Sequence, residues 1–276
     1  TNLEDSSGNN VVDYVVAHEM AHQWWGHQVI GANMQGARMM TESFADYSSL
    51  MTLKSKAKNP MQMRKFLTYN HDGYLRGRSR ERNKELPLYN TETQGYIHYG
   101  KGSLVLYALQ DYIGEDKLNA ALKGFLEEYR YQGPPYPSSH DFLRHLEPQV
   151  PDSLKYLIDD GFREITLYDN RLKKATYRKL NNGKYEVTLA ISSTKLKSDG
   201  NGNETKAPIN DWIDVGFFMD DKEERLYLEQ RLKFDKDTTT LVFLLDSLPK
   251  KVAIDPRHLL IDRVYSDNIK PIYLEP

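Results

Sequence analysis

Between Asp13 and about Gly161 the apolar positions recur at helical spacing. Val12, Val15, Val16 and Met20 share one face, and Leu104, Leu106, Ala108, Leu109 and Ile113 share another. Breaks at Gly26–Gly36, Asn59–Pro60, Gly73–Pro87 and Gly133–Pro137 divide this half into about six helices. After Gly161 the period shortens to two. Lys184–Ile191 alternates, Asn182 and Gly183 supply a hairpin turn, and strand-like runs follow at Trp212–Met219, Arg225–Leu232 and Thr240–Leu245. The polar, glycine-rich Ser198–Glu204 stretch reads as a mobile loop between strands. The predicted class is α+β, with a mainly helical core over residues 1–164 followed by an antiparallel β-sandwich over 165–276.

Composition narrows the chemistry more than the fold. A chain of 276 residues with 39% hydrophobic content can bury a real core. Lys and Arg total 37 against 39 Asp and Glu, a net charge of −2, so no field invites nucleic acid or an anionic membrane. With no cysteine, disulfides, thiolate metal sites and thiol nucleophiles are excluded, and His and carboxylate remain as metal ligands. No apolar run approaches membrane-span length and the polar Thr1–Asn10 start lacks a signal-peptide core, so this piece is expected to be soluble. A start without Met reads as a cut piece.

His18-Glu19-Met20-Ala21-His22 spells HExxH. On a helix the four-residue step puts both imidazoles on one face, where a single ion can bridge them. Glu19, one step round from His18, is placed to take a proton from an attacking water without binding the metal. The alternative is an amphipathic helix whose histidines hydrogen-bond in a core. Catalytic zinc takes three protein ligands, so a third donor separates the readings.

A close third histidine would need Gly and His where the chain has Trp25 and Gln28. His27, five residues after His22, is rotated off the shared face. A later helix starting near Thr41 offers Glu42, with Asp46 one turn on and on the same face. Glu42 suits a metal ligand and Asp46 a hydrogen-bond acceptor for a ligand imidazole. The competing readings are a Glu favoured by the helix N-terminus and a solvated Asp.

HEMAHQWWGH followed by TESFADY resembles the aminopeptidase-N-like branch of the gluzincin zinc peptidases. The resemblance implies a thermolysin-like catalytic core, one zinc per chain on His18, His22 and Glu42, Glu19 as general base, and a peptide substrate. Gln23–Thr41 is one residue longer than the family's usual interval, and the Gly31–Arg38 loop is the expected place to absorb it. His98-Tyr99-Gly100-Lys101-Gly102 resembles the family's Tyr-x-Lys-Gly segment, which implies that Tyr99 steadies the oxyanion. Lys101 and Gly102 read as the start of the following helix, and the Arg76–Lys84 cluster as a solvated loop. The strand that grips a substrate amine in that family falls outside this sequence, so exopeptidase specificity does not carry over.

The same stretch is also similar to a peptidase portion that follows ABC-type permease segments in some bacterial membrane proteins, which implies a membrane-tethered full-length protein. Two functional classes therefore stand: a zinc metallopeptidase, and a non-catalytic accessory domain of a transporter that keeps the peptidase fold. The presence of every expected catalytic group favours the first.

Overall fold

The computed structural model describes residues 11–275; the Thr1–Asn10 start, expected to carry no signal peptide, lies outside them. The chain divides into two compact units. One takes in the chain up to Lys58 together with Lys65–Ile165 and Ser198–Asn203; the other takes in Asn59–Arg64, Thr166–Lys197 and Glu204 onward. The class is α+β.

In the helical unit, α1 (Val11–Ala21) carries the HExxH residues. A π-helical turn at Met39–Ser43 leads into α2 (Phe44–Lys56), and α3 follows at Met61–Arg80. A second π-helical turn, Tyr96–Lys101, leads into α4 (Gly102–Ile113). Helices α5 (Glu115–Tyr129), α6 (Ser139–Leu146) and the short α7 (Tyr156–Ile158) complete it. The core is an aromatic cluster: the Phe44 ring lies 5.1 Å from Trp25 and 4.6 Å from Phe142, edge-on to both. Edge-to-face rings interlock directionally, so this cluster fixes α2 rather than merely covering it.

Three local expectations change. Helix α3 runs straight through Gly73 and Gly77, where a break was predicted. A Cβ at Gly77 would lie 2.2 Å from the Cβ of Tyr96, so this glycine serves close packing, not chain reversal. Arg78 is therefore helical and pairs with the buried Glu85 at 2.7 Å, which also accepts from the Tyr74 hydroxyl at 2.6 Å; the charged cluster is only partly a solvated loop. Lastly, the apolar stripe of α1 does not face a core within the described residues: Val12, Val15, Val16 and Met20 are all exposed.

In the strand-rich unit, β1 (Ile165–Lys179), β2 (Tyr185–Ser198), β3 (Glu204–Ala207), β6 (Thr238–Leu245) and β9 (Tyr273–Leu274) form a sheet in the order β3-β2-β1-β9, with β6 also on β2. The second sheet has the order β5-β4-β7-β8, from Leu226–Phe234, Asp211–Phe218, Lys251–Ile254 and Ile269–Pro271. Pairing is antiparallel for β2–β6, β4–β5, β4–β7 and β7–β8, and parallel for β1–β9. Val187, Leu189 and Ile191, alternate residues of β2, join Ile213, Val215 and Phe217 of β4 in one core between the sheets. The Leu260–Arg263 run contributes an isolated bridge, Tyr168 to Asp262.

The Ser198–Glu204 loop is more defined than expected. The backbone N–H of Glu85 donates to the Gly200 carbonyl at 2.8 Å. Gly200 has φ +83°, and a Cβ there would lie 2.3 Å from the Glu85 oxygen, so both conformation and approach require glycine. Among the described residues no helix is long and apolar enough to cross a membrane.

Candidate metal centre

His18 and His22 project from one side of α1 because four residues make about one helical turn. Their rings sit 4.7 Å apart, edge to face. The Nδ1 of His18 is 2.8 Å from Oδ1 of Asp46 on α2, and the Nδ1 of His22 is 2.9 Å from the Trp25 carbonyl oxygen. A carbonyl, or an ionised carboxylate, can only accept, so each Nδ1 carries the proton. Each neutral ring then turns the lone pair of Nε2 away from that contact.

Those lone pairs converge. The two Nε2 atoms are 3.1 Å apart, and Oε2 of Glu42 lies 3.4 Å from that of His18 and 3.6 Å from that of His22. Three electron-rich atoms so close repel one another unless a cation or a proton lies among them. In a tetrahedral zinc site with bonds of about 2.0–2.1 Å, neighbouring donors are separated by about 3.3–3.4 Å. The His18, His22 and Glu42 donors match one face of such a tetrahedron, and they are the group among the described residues that could hold a metal ion. The donor set, two imidazoles and one carboxylate, suits zinc among the divalent ions.

Without a metal, a proton does the neutralising. Hydrogen bonds that His18 donates to the Asp46 and Glu42 carboxylates raise it to about 9, and its proton in turn lowers Glu42. Burial pushes Asp46 upward while the bond from His18 pulls it back. Tyr14, three residues before Ala17 on α1, also donates to Asp46, and burial beside that carboxylate raises the phenol well above its usual range. The Asn70 amide stands 3.5 Å from the Tyr14 oxygen.

The two π-helical turns bring Glu42 and Tyr99 together. The Ser43 hydroxyl donates to the His98 carbonyl at 2.6 Å, and a Cβ on Gly102 would lie 2.1 Å from that hydroxyl oxygen, so only glycine admits the approach. The Tyr99 ring is 6.0 Å from the His18 ring, and the phenol bonds the Glu42 carboxylate; burial and that bond raise it to about 12. A π turn holds one residue more than an α turn. The turn at Met39–Ser43 carries Glu42 itself, four residues into the turn. Buried Lys101 donates to the Glu164 carbonyl at 2.9 Å and plays a packing part.

Glu19 lies exposed on α1, next to His18, with no hydrogen bond or ion pair among the described residues. His27 stays outside the triangle, its Nδ1 3.4 Å from the Gln23 amide. Tyr14 and Arg38 join the site without having been singled out in the sequence. Tyr14 has a usable signal, the same face of α1 as His18 one turn earlier; for Arg38, the matching signal is the step of four to Glu42, whose Oε1 lies 3.6 Å from its Nη1.

A helix-borne HExxH pair closed by a carboxylate from the next helix is the gluzincin arrangement, and these side chains could hold a metal ion. The pattern of the peptidase family M1 domain matches residues 2–160, and the chain belongs to that family. It is 24% identical over 270 residues to the tricorn protease-interacting factor F2 of Thermoplasma volcanium, covering 90% of this chain and 32% of that protein. With the aminopeptidase N of Bos taurus it shares 28% over 188 residues, covering 60% and 19%. The Legionella pneumophila aminopeptidase A structure, solved in complex with aspartic acid, superposes with a TM-score of 0.52 at 15% identity, over 91% of this chain and 27% of that one, a likeness of fold. The chain thus spans a third or less of these relatives.

Proposed function

We propose that the chain is the metal-binding part of a zinc-dependent peptidase, aminopeptidase-like in the full protein, with residues 1–164 as its catalytic portion. The observation that carries this reading is the convergence of His18 Nε2, His22 Nε2 and Glu42 Oε2 within a triangle of zinc-site dimensions. Membership of the peptidase family supports it independently.

When bound, zinc supplies Lewis acidity, polarising a peptide carbonyl and making water nucleophilic at neutral pH. The remaining work falls to side chains. Glu19 takes the proton of the attacking water and hands it to the departing amine. Tyr99 keeps its proton across the working range, because its phenol is held near 12, and donates a hydrogen bond to the oxyanion as charge develops there. Asp46, supported by Tyr14, fixes the tautomer and orientation of His18.

The test is peptide hydrolysis by the zinc-loaded chain, and by longer chains that contain it, beside the Glu19→Gln variant. The expected result is cleavage that disappears in Glu19→Gln while one zinc per chain remains. Full zinc occupancy without cleavage in any of these chains, or cleavage undiminished in the variant, contradicts the proposal.

A further inference from the structure

The carboxylate of Glu42 is engaged on both sides, but unequally. Its Oε2 faces the two imidazoles, while Oε1 faces the guanidinium of Arg38 at 3.6 Å, one helical turn earlier. That contact is longer than a hydrogen bond, which for N–H···O spans about 2.7–3.2 Å. Moreover, 59% of the Arg38 side chain is exposed, against 10% for Glu42. An exposed, loosely paired cation contributes little to holding its partner in place. Among the described residues Glu42 is the acidic partner of Arg38, so most of the fork of five N–H donors has no fixed commitment. The charge nonetheless reaches the centre: burial and the Glu42 bond raise Tyr99, and Arg38 opposes that rise in small part. A metal drawing on Glu42 Oε2 would weaken the hold of that carboxylate on Arg38 further.

We propose that Arg38 is a specificity-determining residue that binds a substrate carboxylate lying close to the scissile bond. The inference rests on the peptidase reading above and adds to it a substrate class: peptides carrying a negative charge beside the bond to be cleaved. A guanidinium receives a carboxylate through two parallel N–H···O bonds, a geometry Arg38 does not spend on Glu42. The carboxylate has two sources, an acidic side chain on a residue flanking the bond or the C-terminal group of a short peptide. Both present the same planar anion.

The test uses equilibrium binding to the zinc-loaded Glu19→Gln protein, so that nothing is turned over, followed by kcat/KM in the chain with Glu19 intact. Peptides come in matched pairs, Glu against Gln beside the bond and free C-terminal acid against amide. Each is measured with Arg38 present and in Arg38→Gln, with zinc content determined in every sample. The expected result is about tenfold or stronger preference for the charged member of at least one pair, the size of a charge-assisted hydrogen bond. Arg38→Gln should abolish that preference with zinc occupancy retained, and Arg38→Lys should restore it only in part. The pair that responds identifies the source of the carboxylate. Equal treatment of charged and neutral peptides in both proteins overturns the proposal while leaving the peptidase reading intact. Loss of zinc in Arg38→Gln also overturns it, by making Arg38 a support for Glu42. Failure of every peptide to bind or be cleaved sinks both readings together.

Discussion

Each unit of the molecule gathers charged side chains out of water, and the two gatherings differ in what they leave unfinished. In the strand-rich unit Asp214 receives Arg231 through both oxygens at 2.8 Å, and Arg257 at 3.0 Å; Arg257 in turn meets Glu229 at 2.8 Å. Buried Lys195 meets Asp211 at 2.8 Å, and the Tyr168 hydroxyl donates to the same carboxylate. Both oxygens of Asp214 and of Asp211 thus meet donors from the protein itself. In the helical unit three acceptors face one another instead. Acceptors that converge until a proton or a cation must lie among them could hold a metal ion, whereas a closed network of ion pairs is architecture.

The sharpest way to break this contrast is to remove one member from each side. Asp214→Ala leaves two guanidinium groups in a partly buried place without their carboxylate, a change that costs about 3–5 kcal/mol in comparable buried pairs. Denaturant unfolding should register a loss of that order, with zinc content of the folded protein unaffected. His22→Ala should do the converse: metal analysis falls from one zinc per chain toward none, while stability of the metal-free protein changes far less or even improves, because one converging lone pair has gone. A large loss of metal-free stability in His22→Ala would place the triangle among the architectural networks.

A finer distinction concerns Asp46, which holds His18 at 2.8 Å. Asp46→Ala should weaken zinc by about 10–100-fold, as for other carboxylates that orient ligand histidines, in competition titrations with a chelator. Unchanged affinity would reduce Asp46 to packing.

The smallest effect lies in the strand-rich unit and depends on pH. Burial lifts Asp255 to about 7 and Asp262 to about 6, although backbone N–H groups bond both carboxylates. These groups hold their protons more tightly folded than unfolded. Their contribution to stability is therefore full below the ordinary carboxylate range and is lost as pH rises through the folded values. Thermal melting should show a decline between about pH 5 and pH 8 that is shallower in Asp255→Asn. Identical slopes would remove Asp255 from the account.

That His18, His22, Glu42 and Asp46 come together was legible in the sequence in part because two short-range steps, His18 to His22 and Glu42 to Asp46, each span one helical turn. Periodicity states which side chains share a face, and the resemblance joined the two pairs. It does not state which face meets a core, so the exposure of Val15 and Val16 on α1 could not be read from the pattern. Strand β1 escaped notice for a related reason: Arg171, Lys173 and Lys174 interrupt its apolar positions, while Leu172 and Ala175 are buried in the core they share with Ile213 and Val215. Gly77 looked like a break because a glycine required for close packing and one required for a turn look alike in sequence. The tie from Ser43 to His98, across 55 positions, left no trace in any local pattern.

The central claim is that His18, His22 and Glu42 together hold one metal ion. Zinc-edge X-ray absorption on the stoichiometrically loaded chain tests it most directly. The account expects a four-coordinate ion with two imidazole nitrogens and a carboxylate oxygen at about 2.0–2.2 Å, with one imidazole lost in His22→Ala. A shell without imidazole scattering, or one that His22→Ala leaves unchanged, would contradict it.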